Sequence, residues 1–273
     1  MKWNWQQLEW PQFSYDAQAL KELESTYLHG AGIFIGASMH LEANSKTELI
    51  VNLASDEAMT TSEIEGELLN RDSVQSSIRG HFGLKAPATK KGTPAEKGIA
   101  DMMIDLYTSY SEPLSHAMLF RWHAMLNSGQ KNLIDIGRYR THTEAMQVVS
   151  GPEYRRKVHF EAAPSKKMMF EMTRFIDWFN ATKPSLTRAG IAHLYFVCIH
   201  PFEDGNGRIG RAIVEKSLAE LAGQPTLLAL SKTILKYRRA YYDMLEASNK
   251  DLSITPWLIY FGKTILDAQK VKI

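Results

Sequence analysis

The stretch that most constrains this chain runs from residue 191 to residue 218. Ile191 to Ile199 is apolar enough to form a buried helix, and Ile213, Val214 and Leu218 have the spacing of an amphipathic one. Between them stands His200-Pro201-Phe202-Glu203-Asp204-Gly205-Asn206-Gly207-Arg208-Ile209-Gly210-Arg211. A buried helix must therefore end, turn through a glycine-rich loop and restart. Two glycines alternating with Asn206 let the backbone curl and present successive N–H groups inward, as an anion nest does. The positive end of the following helix adds to that site. Arg208 and Arg211, three apart, lie near one face of its first turn, and their guanidinium forks suit phosphate oxygens. Asp204 is a hard oxygen ligand of the kind Mg²⁺ takes. His200 can accept a proton near neutral pH. A base, a metal ligand, an anion nest and two cations within one loop imply phosphoryl or nucleotidyl transfer. Competing motifs fail on spacing. A calcium loop needs an acid or amide where Arg208 stands and glycine where Ile209 stands, and no G-x-x-x-x-G-K-[ST] string occurs. Cys198 and His200 are two apart on a helix and do not face each other, so Cys198 reads as core.

Three-to-four-residue apolar spacing dominates the rest of the chain and predicts an all-α fold. Helices are expected from Leu20, from a Ser45/Glu48 capping box, over Thr60 to Glu67 and over Val74 to Phe82. Further helices are expected at about 94–110, 114–127, 165–180, 186–199, 207–222, 232–248 and 254–270. Residues 83–95 read as a loop with Lys90-Lys91 in solvent, closed by Thr93-Pro94-Ala95-Glu96, an N-cap with proline at the first helical position. Met146 to Phe160 reads as a β-hairpin turning at Ser150-Gly151-Pro152-Glu153. Three segments result: 1–93, with an aromatic arm; 94–222; and 223–273, whose helices pack on the middle segment.

A formal net charge of +2 gives no warrant for a nucleic-acid or membrane-surface partner. One cysteine excludes an internal disulfide framework. Met1-Lys2-Trp3-Asn4-Trp5 has no apolar signal core, and the Gly30–Met39 stretch is Gly-broken and too short to span a bilayer. A soluble cytoplasmic protein is expected. Trp3, Trp5, Trp10-Pro11 and Phe13 read as an arm packed on the helical core.

The 200–211 string resembles the Fic-family signature H-P-F-x-[DE]-G-N-G-R-x-x-R at every fixed position. Leu114 to Leu126 is similar to the family helix that precedes it. Gly137-Arg138-Tyr139-Arg140 and the 146–160 hairpin are similar to its target-positioning flap. The resemblance implies a Fic-type helical bundle with a small β-hairpin flap and a catalytic core over 94–222. It implies ATP as substrate with Mg²⁺ held by Asp204, and His200 as general base. Phe202 would anchor the loop, Gly205, Asn206, Gly207, Arg208 and Arg211 would bind phosphates, and Val148, Val149 and Val158 would line the flap.

Thr61-Ser62-Glu63-Ile64-Glu65-Gly66 by itself is a helix end with Gly66 as C-cap and Glu65 on a solvated face. Beside the Fic string it resembles the family's inhibitory helix, [ST]-x-x-x-E-[GN], here about 58–67. Glu65, sharing a face with Thr61, would then pair with Arg211 and deny it to the γ-phosphate. The implied activity is protein adenylyltransfer: AMP passes from ATP to a Ser, Thr or Tyr hydroxyl of a target protein or of the enzyme itself. The rivals are phosphodiester hydrolysis of an AMP-modified protein, another donor such as UTP or a choline-bearing diphosphate, and a non-enzymatic nucleotide-sensing or toxin–antitoxin-like module. Assembly as a homo-oligomer stays open.

Overall fold

The computed structural model describes residues 2–85, 92–226 and 228–270. Its helices are α1 (Ala17–Met39), α2 (Ala43–Ile64), α3 (Arg71–His81), α4 (Pro94–Ser109), α5 (His116–Leu126), α6 (Met168–Ala181), α7 (Leu186–Ile199), α8 (Asn206–Ala222), α9 (Leu230–Lys236), α10 (Arg238–Ser248) and α11 (Thr255–Lys270). Strands β1 (Gln147–Ser150) and β2 (Lys157–Glu161) lie between α5 and α6. The expected all-α bundle with one hairpin is what the chain forms.

Helix α7 is the centre. Ser185 caps it by accepting the N–H of Arg188, and all but two of its residues are buried. Helices α1, α6, α8 and α11 pack around it. A helix apolar on every side can exist only with neighbours on every side, so α7 and the loop that follows it are held from all directions. One apolar cluster takes residues from all eleven helices.

Two buried cations of the core, Arg188 and Lys216, are paired. Arg188 Nε donates to Ser217 Oγ at 3.0 Å and its Nη2 bonds Glu220. Lys216 Nζ donates to the carbonyl of Tyr110 at 2.6 Å and lies 3.0 Å from Glu220. Burying either cation without these partners would cost several kcal/mol, on the order of 3–5 for a broken buried pair.

Four expectations needed correction or refinement. The Ser45/Glu48 capping box does not form: α2 starts at Ala43, and Glu48 instead takes the guanidinium of Arg79 in α3. The helices expected from Ser45 and over Thr60 to Glu67 are one, because burial of Val51, Ala54 and Ala58 outweighs the polar composition between them. The Gly30–Met39 stretch is the second half of α1, since isolated glycines weaken a helix without ending it. The single helix expected over 232–248 is broken at Tyr237 into α9 and α10.

The Thr93/Glu96 capping box forms at α4. Glu96 N donates to Thr93 Oγ1 at 3.2 Å, and Thr93 N donates to Glu96 Oε2 at 2.8 Å. Lys90-Lys91 lies outside the described residues.

The aromatic arm packs where expected. Trp10 is buried edge-on against Tyr195 of α7, and its Nε1 donates to Glu171 at 3.0 Å. Trp5 Nε1 donates to the carbonyl of Glu161 at 2.7 Å, and Trp3 meets Phe160 edge-on. The arm thus grips β2 as well as the core. The hairpin pairs Gln147 with Glu161, Val148 with Phe160 and Val149 with Val158, so His159 is an extra residue bulging from β2. Lys157 and His159 both bond Glu246 of α10, which ties the hairpin down on that side.

Candidate active site

The chain leaves α7 at His200, the one non-glycine residue with positive φ among those described (φ 53°, ψ 60°). This left-handed turn carries the imidazole into a cavity of about 630 Å³ between α2, α7, α8, α10 and the hairpin. His200 Nδ1 lies 3.2 Å from the Val197 carbonyl. A carbonyl only accepts, so Nδ1 carries the proton and Nε2 has its lone pair free. Removal from water pushes the His200 imidazole down to about 4, with nearby Arg140 adding to the shift. It is therefore neutral near pH 7.

The loop is locked from within. Phe202 is fully buried and stacks on His123, ring centroids 4.2 Å apart. Asn206 uses both ends of its amide on Phe202: Oδ1 accepts the Phe202 N–H at 3.0 Å, and Nδ2 donates to the Phe202 carbonyl at 2.8 Å. Its side chain is thus committed to closing the loop, which leaves its backbone N–H for a ligand. Gly205 (φ 79°) starts α8 in a conformation that side chains resist. The first N–H groups of α8, at Asn206, Gly207 and Arg208, point out of the helix end.

Arg208 and Arg211 are both buried. Arg208 bonds Glu67 at 2.6 Å and Asp204 at 3.2 Å. Arg211 donates from Nε to Thr61 Oγ1 at 2.7 Å, and from Nη2 to the Thr61 carbonyl at 2.9 Å and to Glu65 Oε1 at 2.8 Å. The shared face of Thr61 and Glu65 therefore meets Arg211.

The end of α2 explains how. Glu67 N donates to the Ser62 carbonyl and Gly66 N to the Glu63 carbonyl, both at 3.0 Å. These are the two bonds of a Schellman motif, which requires left-handed backbone at Gly66 (φ 85°). That turn delivers Glu65 to one arginine and Glu67 to the other. A Cβ added at Gly207 would lie 2.2 Å from Glu65 Oε1, so the carboxylate rests on the nest and only glycine leaves room for it.

The cavity is also lined by Val148, Val149, Tyr242 and Glu246. The structure thus brings His200, Gly207, Arg211, Glu65 and two of the three hairpin valines to one space; Val158, opposite Val149, does not line it. Asp204 does not line the cavity; it bonds Arg208 and is about half exposed. Glu67 was not legible as a partner of Arg208, because a Glu after a helix C-cap carries no signal of its own. Among the described residues no group of three His, Cys, Asp or Glu could hold a metal alone.

A helical bundle with one hairpin over a His-to-Arg anion loop defines a Fic-type fold. Residues 113–218 match the Fic/DOC family profile. Residues 3–84 match a family described as a domain of unknown function (DUF4172). The protein adenylyltransferase Fic of Culex quinquefasciatus is 33% identical over 129 residues, which are 44% of this chain and 24% of that protein. The protein adenylyltransferase fic-1 of Caenorhabditis elegans is 28% identical over 139 residues, 50% of this chain and 24% of that protein. The matched stretch spans about a quarter of the length of these curated relatives. Among solved structures, a Fic family protein from Desulfovibrio desulfuricans superposes with a TM-score of 0.69 at 22% identity, over 96% of this chain and 76% of that one. Fic-1 from C. elegans does so with a TM-score of 0.64 at 22% identity, over 94% of this chain and 72% of that one.

Proposed function

We propose that this protein transfers AMP from ATP to a hydroxyl of a target protein, and that Glu65 holds the activity in check. The observation that carries the reading is the position of the Glu65 carboxylate. It sits on Gly207 and Arg211, where an anion nest and a buried guanidinium would receive phosphate, in the cavity that His200 enters. The names of the curated relatives support the same activity.

In this mechanism His200 Nε2 takes the proton of a Ser, Thr or Tyr hydroxyl. The oxygen attacks the α-phosphorus in line, the bond to the β-phosphate oxygen breaks, and pyrophosphate leaves. The α8 N–H groups hold the phosphates and Arg211 takes the outermost one. Positioning and charge neutralisation supply most of the rate in such chemistry. Asp204 fits Mg²⁺ only in the manner of a site completed by substrate phosphates and water, because it is a single half-exposed carboxylate. When bound, the ion neutralises phosphate charge that would repel a nucleophile.

The primary test uses ATP labelled at the α-phosphate and, separately, at the γ-phosphate, incubated with the protein and a cell lysate. Protein labelled from α and not from γ is expected. Label from γ alone overturns adenylyl transfer. The same gel shows whether the chain labels itself.

The position of Glu65 beside His200 also favours a second reading, in which the carboxylate orients water to release AMP from a modified protein. Release of AMP from pre-labelled protein, lost on Glu65→Gly, would establish it.

Asp204→Ala is expected to remove the Mg²⁺ dependence along with most activity. Titrating Mg²⁺ against both forms checks this, and an identical metal response takes Asp204 out of the metal role.

The hairpin is expected to dock an extended target segment along β1. The outer carbonyls of β2 at His159 and Glu161 are taken by Asn249 and Trp5. Among the described residues no side chain bonds the outer backbone edge of β1. Val149→Pro removes an edge N–H there, and Val158→Pro disturbs its partner position. Target KM should rise about tenfold for Val149→Pro, the cost of one to two lost edge hydrogen bonds, with ATP affinity unchanged. Unaltered target kinetics in a folded variant would mean that the hairpin only covers the site.

A further inference from the structure

Arg140 ends the Gly137-Arg138-Tyr139-Arg140 string, and the chemistry above leaves it unused. It is 1% exposed. Its Nε donates to the His200 carbonyl at 2.9 Å, and its Nη2 donates to the carbonyl of Ala163, two residues past the end of β2. Its own N–H donates to the Pro201 carbonyl at 3.0 Å. One residue thus bonds the backbone on both sides of the His200–Pro201 peptide and the exit of the hairpin. No carboxylate pairs with it among the described residues, and Nη1 is buried without a partner. Burial without an anion pulls its guanidinium down to about 10, which still leaves it charged at pH 7.

An unpaired buried cation is costly, and a methionine or leucine could fill such a volume at less expense. What the guanidinium supplies is one N–H on the carbonyl of the one non-glycine residue in left-handed backbone among those described, and a second on the carbonyl of Ala163. His200 pays for that conformation roughly 1–2 kcal/mol, and a bond to its carbonyl is a direct way to hold it.

We propose that Arg140 is a positioning residue: its guanidinium fixes the left-handed turn at His200, so that Nε2 faces the cavity, and couples that turn to the hairpin. Its charge also disfavours protonation of His200. Of the charged groups with the largest effect on that imidazole, Glu65 and Asp204 favour protonation and Arg140 opposes them, while Arg211, Arg238, Arg239, Asp243 and Glu246 line the same cavity. The positioning role rests on the reading of His200 as the base. The structural part does not, and is tested separately.

The test uses the full chain with ¹⁵N-labelled histidine and the variants Arg140→Met and Arg140→Lys. His200→Asn assigns the resonance. In the wild-type protein His200 should remain the Nδ1–H tautomer down to about pH 4. In Arg140→Met its protonation midpoint should rise only in part, because burial and not Arg140 is the main cause of the low value, and the tautomer signature should weaken. Arg140→Lys keeps the charge but not the fork, so the midpoint should stay low while the tautomer signature weakens. Transfer by both variants should fall about a hundredfold, the usual cost of a displacement near 1 Å, with calorimetric ATP affinity unchanged. If Arg140→Met does not fold, Arg140→Lys decides. A His200 signal unmoved in a folded variant overturns the proposal. So does an ATP affinity that falls in step with the rate, because Arg140 would then be a phosphate ligand. An altered His200 signal in a protein whose wild type transfers nothing would leave the structural role standing and remove the base assignment.

Discussion

His200→Ala is expected to lower transfer by about a hundred- to ten-thousand-fold, the usual worth of a general base, while ATP binds as before. The two halves of this expectation have separate causes. In the proposed site phosphate affinity would reside in the α8 N-terminus, Gly207 and Arg211, none of which leans on the imidazole. The Nε2 lone pair is the only basic group of His200 that faces the cavity, because Nδ1 donates to the Val197 carbonyl. The pH profile follows with a definite sign. A base must be unprotonated, and burial has pushed His200 down to about 4. In the free protein the working form is therefore full at pH 7, and the His200 acid limb of kcat/KM should appear only as pH approaches that value. Calorimetric ATP titration and rates from pH 4 to 8 check both. A variant that labels targets at the wild-type rate removes the base assignment, and a limb near 6.5 would show a solvated imidazole.

The centre of this site was legible because its residues are local in sequence. Loop, nest, base and arginines fall within 200–211, and the chemistry of each follows from residue type. The Glu65–Arg211 pair, 146 residues apart, became legible only through the resemblance of Thr61 to Gly66 to an inhibitory helix, since a Glu on a helix face carries no such information alone. Glu67 on Arg208 and Arg140 on His200 had no sequence signal at all. Both depend on where a Schellman turn and a buried side chain end in space. The same limit applies to the helices. Thr93/Glu96 caps α4 because capping is local, whereas Ser45/Glu48 obeys the same local rule and does not, because Arg79 on α3 offers Glu48 a partner with opposite charge. Packing likewise sets the start of α9, where Glu57 of α2 takes the N–H and hydroxyl of Ser231.

Glu65→Gly is expected to raise AMP transfer, self-modification included, by about a hundredfold. That figure is the rate cost of phosphates misplaced by roughly 1 Å. Arg211 has one guanidinium, and Glu65 Oε1 takes its Nη2 at 2.8 Å, where a γ-phosphate oxygen would compete for it. While Glu65 lies on Gly207, the outermost phosphate cannot reach the guanidinium, and ATP that binds through the rest of the nest holds its α-phosphorus off the attack line. Loss of the carboxylate frees both places at once. The helix that delivers it stays docked, because Thr61 still accepts from Arg211 and Glu57 still holds Ser231. The effect should therefore be local, with the melting temperature little changed. Glu67 remains on Arg208 in this variant, so Glu67→Gln added to Glu65→Gly should give a further, smaller rise in rate. Arg211→Ala must not mimic the activation, because it removes the phosphate contact together with the inhibitory one. Initial rates of α-label incorporation for the wild type and the three variants decide the matter. Should Glu65→Gly transfer no faster than wild type, or lose an AMP-releasing activity, the carboxylate works in hydrolysis, and the direction of the reaction reverses.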